Sequence, residues 1–143
     1  MKNASWILLA VVGVAVILFS LISALHAYRT SDNYAIGGSS VSKVAAGDDG
    51  IATALRGIRG TSAAFATAYG VLFLAIVLGP YRRSDVWAWQ ALLVAGLTLF
   101  VLVMLRIPLL GTQLGTSAAV TLTSALVVGL LLGVGRFKGS RGA

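Results

Sequence analysis

Four long apolar runs without a charge, separated by polar stretches, set the hydrophobic pattern of this chain. They are residues 6–25, 61–79, 86–105 and 116–134. Each approaches or reaches the roughly 20 residues that a helix needs to cross a hydrocarbon core about 30 Å thick. The pattern predicts an all-α membrane protein, a single domain of four transmembrane helices in a bundle, over residues 1–143. A cleaved signal peptide competes for the first run, because Lys2 precedes it and Ala27 could end it. The run exceeds the usual apolar region of such peptides, about 7–15 residues, which favours a span.

The connections carry the finer signals. Residues 26–60 form the longest, an outer loop whose centre (36–50) is rich in Gly, Ser and Ala and reads as irregular or mobile. Beyond it, Ile51, Ala54, Leu55 and Ile58 recur at helical spacing, and Asp48 or Asp49 is placed to cap the segment. This predicts a short interfacial helix that either lies on the membrane or continues, bent at Gly57 or Gly60, into the second span. Gly79-Pro80 predicts the end of that span, and Arg106 with Pro108 the end of the third.

Composition agrees with the pattern. Hydrophobic residues make up 58% of the chain and charged residues only 10%, with a mean hydropathy of +0.95. A soluble domain, with about a quarter of its residues charged, could not build its surface from so few. The net charge of +7 would suggest nucleic acid in a soluble protein. Here the bases are scattered at the ends of apolar runs, as topology and lipid headgroups require, so no nucleic-acid partner is expected.

Counting Lys and Arg orients the chain. With the N-terminus inside, the short inner segments hold Lys2, Arg82, Arg83, Arg136, Lys138 and Arg141 against Asp85. The longer outer segments hold Arg29, Lys43, Arg56, Arg59 and Arg106 against Asp32, Asp48 and Asp49. This predicts a multi-pass protein of the inner (plasma) membrane with both termini cytoplasmic. Trp6, Tyr81, Trp87, Trp89 and Phe137 then fall near the inner boundary and Tyr28 and Tyr34 near the outer one, as anchoring belts.

Small residues mark candidate packing faces. Gly60, Ala64 and Ala68 step by four along the second span, and Ala125, Gly129 and Gly133 along the fourth. Such spacing lets helix backbones approach closely in lipid, either within the chain or against a partner. The sequence Gly60-Thr61-Ser62-Ala63-Ala64 returns as Gly115-Thr116-Ser117-Ala118-Ala119. Two repeated hairpins would produce this, and so would two separate needs for a hydroxyl cap.

The inventory of reactive groups is short. With no cysteine, one histidine (His26) and no acid inside an apolar run, no catalytic set, metal site or cofactor ligation is expected, and an enzyme is not predicted. Proton-coupled transport lacks its intramembrane ionisable group. What remains is a group of outer arginines, Arg56, Arg59 and Arg106, whose guanidinium forks would suit an anion or a lipid headgroup. The alternative is that each snorkels separately to the interface.

From Leu55 to the end of the fourth span, the chain resembles a family of small four-helix bacterial membrane proteins whose function is unassigned. The resemblance rests on Arg56-Gly57, on Trp87-Ala88-Trp89, and on Leu105-Arg106 followed by Gly111. It implies four helices and transfers no activity. The acid that commonly precedes the arginine in that family, and the one often found in its last helix, are replaced here by Ala52, Thr53 and Ala54 and by Thr123 and Ser124.

Three functional readings follow. The first is a non-catalytic accessory or structural subunit that packs against other membrane proteins or against itself. The second is a lipid- or small-anion-binding membrane protein using the arginine group. The third is a holin-like pore former, which tolerates a set of spans with a basic tail.

Overall fold

Lipid removes water from the backbone, so each apolar run must satisfy its N–H and C=O groups internally, and helix is the form it takes. The structure, a computed structural model, describes residues 2–29, 35–36, 39–110 and 116–137. Their elements are α1 (Lys2–Tyr28), β1 (Ala35–Ile36), β2 (Ser39–Ser40), α2 (Val41–Ala45), α3 (Asp49–Ile76), a π-helical turn (Val77–Tyr81), α4 (Val86–Met104), α5 (Arg106–Leu110) and α6 (Thr116–Phe137). Four helical stretches are long and apolar enough to cross a membrane: Ala4–Tyr28, Asp49–Tyr81, Val86–Leu109 and Thr116–Gly135. No more than 22% of any of their apolar windows is buried within the chain, so most of the apolar surface is left for lipid or partners. Asp32, Tyr34, Gly111, Gly115, Lys138 and Arg141 lie outside the described residues.

The helices outrun their apolar cores, and the breakers explain how. Gly79-Pro80 does not end the second span: the helix winds through Pro80 as a π turn to Tyr81. Proline lacks an N–H and its ring presses on the carbonyl four residues back, and the wider π turn relieves both. The chain leaves through a turn in which Arg83 N donates to Gly79 O at 3.3 Å and Asp85 N to Pro80 O at 3.0 Å. α4 ends at Met104, where Arg106 with Pro108 predicts the end of the third run, and Pro108 belongs to the short helix that follows. It sits in the first turn of α5, where its N–H would have no intrahelical acceptor.

The described part of the outer loop carries more regular structure than its composition predicts. β1 and β2 pair antiparallel, Ala35 with Ser40 and Ile36 with Ser39. Ser40 caps α2, accepting from Lys43 N at 3.3 Å, while Val41 and Ala45 are buried. α2 ends at Ala46 in the left-handed region (φ 50°, ψ 30°), followed by Gly47 at φ 89°. Asp48 is the cap of α3, its Oδ1 accepting from Gly50 N at 2.8 Å and Ile51 N at 3.1 Å. The separate interfacial helix is not seen: Ile51, Ala54, Leu55 and Ile58 belong to the first turns of α3, which runs unbroken past Gly57 and Gly60.

The left-handed Ala46 supports a prediction. An L-residue there costs about 1–2 kcal/mol that glycine avoids. Ala46→Gly is expected to stabilise the loop by about 1 kcal/mol, read as several-fold slower amide hydrogen exchange across α2 and the start of α3.

The chain divides into two compact units, Met1–Val14 with Leu72–Ala143, and Ala15–Val71. In the first, α4 and α6 run antiparallel. Ala88, Leu92 and Gly96 form the buried side of α4, and a Cβ on Gly96 would overlap Leu126 of α6. In the second, the later part of α1 runs antiparallel to α3, with Ile17 against Gly70 and Tyr28 against Gly60.

Candidate functional site

Two polar clusters are built on these helices, one in each unit. The first gathers around Tyr81, which the π turn buries completely. Ser5 Oγ donates to the Gly129 carbonyl at 2.8 Å and lies 2.5 Å from the Tyr81 hydroxyl. Tyr81 Oη also reaches the Gly129 carbonyl, at 3.4 Å. Trp89 Nε1 donates to the next carbonyl, Leu130 O, at 3.2 Å. Arg82 stacks over Trp6, its guanidinium carbon 4.9 Å from the ring centre. Glycine makes this possible: a Cβ on Gly129 would stand 2.6 Å from Leu9 Cδ2, and one on Gly133 would overlap the Tyr81 hydroxyl.

Its chemistry is that of a clamp. Side-chain hydroxyls and an indole N–H meet α6 carbonyls already engaged in the helix, using their second lone pairs. Ser5 and Tyr81 are both fully buried, and their hydroxyls meet each other and the Gly129 carbonyl. Tyr81 is therefore no boundary anchor, whereas Trp87 is exposed as a belt residue would be. A phenol directly after Gly-Pro was the one signal in the sequence that could have marked the position.

The second cluster lies where α2 meets the start of α3. A cavity of about 360 Å³ opens there, lined by Val41, Ser42, Asp48, Asp49, Thr53 and Arg56 among others. The capped start of α3 sets Asp49, Thr53 and Arg56 three to four residues apart, so their side chains lie along one side of the helix. Arg56 Nε is buried and has no hydrogen-bond partner.

The predicted arginines part company. Arg59, one turn beyond Arg56, donates from Nε to Ser23 Oγ on α1 at 3.1 Å and does not line the cavity. Arg106 belongs to the other unit, exposed at the start of α5. The small-residue positions divide as well. Gly60 is buried, and a Cβ there would stand 2.6 Å from Tyr28 Cε1, while Ala64 and Ala68 are exposed. On α6, Gly129 and Gly133 are buried and Ala125 is half-buried.

Among the described residues, no three His, Cys, Asp or Glu side chains gather as metal ligands would. No family model, curated protein or solved structure matches the chain.

Proposed function

We propose that this chain is a non-catalytic integral membrane subunit that packs against a helix of another membrane protein through the exposed small-residue side of α3. The observation that carries this reading is the exposure of Ala64 and Ala68, four residues apart in the middle of a helix long enough to cross the membrane. Thr61 and Ala75 are exposed on the same helix. In lipid there is no hydrophobic gain on association, so helices join where small side chains admit close backbone approach. The glycines of α6 are already occupied within the chain; this pair is not.

The proposed setting is the inner (plasma) membrane with both termini cytoplasmic, supported by the bases on the short inner segments. The test is gentle extraction followed by native-size analysis of wild type and of Ala64→Leu/Ala68→Leu. Wild type is expected in a larger complex and the double variant as a free chain of unchanged melting temperature, since both positions are exposed. A wild-type chain that runs as a stable monomer overturns the reading. A complex holding only copies of this chain replaces the foreign partner with self-association.

A second reading is favoured by Arg56. A buried guanidinium nitrogen without an acceptor, on the wall of a polar cavity, supports lipid-headgroup or small-anion binding there. In that reading Arg56 is the central residue, Arg59 is held by Ser23, and Arg106 contributes separately.

A further inference from the structure

The cavity beside Arg56 carries charge of both signs. Asp48 and Asp49 line it together with Arg56, yet no ion pair joins them, and the Arg56 Nε keeps its proton unmatched in a buried position. Asp48 is engaged, since its Oδ1 caps α3 through two backbone N–H groups. The Asp49 side chain makes no hydrogen bond or ion pair among the described residues. A simple anion would meet Arg56 but also two carboxylates on the same cavity wall, and like charges oppose binding. A simple cation would meet the reverse conflict at Arg56. A ligand with both charges satisfies both walls.

The position in the membrane narrows the class. The helix Asp49–Tyr81 has 33 residues, a length of about 50 Å at 1.5 Å per residue. That exceeds a hydrocarbon core of about 30 Å. Tilting the whole helix into lipid would immerse Arg56 and Arg59, at a cost of a few kcal/mol each. The excess therefore falls on its polar first turns, residues 49–61, which brings the cavity to headgroup level.

We propose that this cavity binds a zwitterionic headgroup carrying a primary ammonium and a phosphate, with the phosphate at Arg56 and the ammonium at Asp49. The inference rests on the lipid-binding reading above and sharpens it. Thr53 supplies a hydroxyl beside the two charged poles. Phosphatidylethanolamine in the bilayer and soluble phosphoethanolamine share this chemistry.

The experiment reconstitutes the full chain in an equal mixture of phosphatidylethanolamine, phosphatidylcholine and phosphatidylglycerol, extracts it gently, and identifies retained lipid by native mass spectrometry. Phosphatidylethanolamine is expected to be enriched about tenfold over each of the others, the lower end of what one charge-assisted hydrogen bond contributes. Arg56→Gln and Asp49→Asn are each expected to abolish the enrichment, and Arg56→Lys to keep part of it. Unchanged helicity by circular dichroism separates loss of the site from loss of the fold. Equal retention of phosphatidylcholine, whose quaternary ammonium cannot donate, overturns the primary-ammonium assignment.

A preference for phosphatidylglycerol overturns the zwitterion while leaving the anion reading standing. Enrichment that survives both single variants overturns the site itself. Phosphoethanolamine titrated into protein held in pure phosphatidylcholine distinguishes the two sources: binding there identifies a soluble ligand, and retention of the lipid alone identifies the bilayer.

Discussion

Gly133→Val is expected to destabilise the protein by about 3–5 kcal/mol, overpacking together with lost buried hydrogen bonds. The new Cβ would occupy the place of the Tyr81 hydroxyl and stand 2.9 Å from Ser5 Oγ. Neither neighbour is the free end of a flexible chain. Tyr81 is fixed by the π turn through Pro80, and Ser5 is held by the Gly129 carbonyl. Relief requires moving the ring, which breaks the Ser5–Tyr81 contact and the bond to α6 together. Gly135→Val, two residues along the same helix, is the control, because a Cβ there meets nothing within 4 Å. Both changes alter helix propensity equally, so their difference in melting temperature in detergent isolates the clash. Equal melting temperatures would show that Tyr81 moves aside at little cost.

That glycine was legible in the sequence, and its partner was not. The Ala125, Gly129, Gly133 spacing announced a face of α6 that admits close approach. The same rule applied to α3 chose Gly60, Ala64 and Ala68, of which only the first is buried. At about 100° per residue, a step of four advances the direction by about 40° each time. The selected row therefore walks off the face it starts from. The buried row of α3 is Gly60, Ala63, Gly70 and Phe73, continued by Val77 of the π turn, a mixture of steps of three, four and seven.

In a soluble helix, polar residues on the opposite side would have exposed that error. Here both sides are apolar, and inward and outward positions differ only in shape. Length and the absence of charge sufficed to mark the four helices that, among the described residues, are long and apolar enough to cross a membrane. The breaker misled at Pro80 because the penalty on proline is local and one widened turn absorbs it. The cavity at Arg56 was hidden for a different reason. It depends on α2, a five-residue helix with no periodicity to read, while Asp49 looked like part of a cap.

Tyr81 provides the second large effect, and its variants separate two kinds of stabilisation. Tyr81→Ala is expected to cost about 3–5 kcal/mol, since a fully buried aromatic ring leaves a cavity when removed. Tyr81→Phe keeps the ring and removes only the hydroxyl. Ser5 still donates to the Gly129 carbonyl at 2.8 Å, and the expected cost is about 1 kcal/mol. Ser5→Ala added to Tyr81→Phe is then expected to cost less than Ser5→Ala alone, because the hydroxyls contact each other at 2.5 Å and share one carbonyl. Denaturation of the four variants in one detergent measures all three differences. If Tyr81→Phe were as damaging as Tyr81→Ala, the hydroxyl contacts would hold Ser5, the π turn and α6 together. The expected order instead makes ring packing against Gly133 the dominant contribution, with the hydroxyls fixing the orientation in which the ring fits.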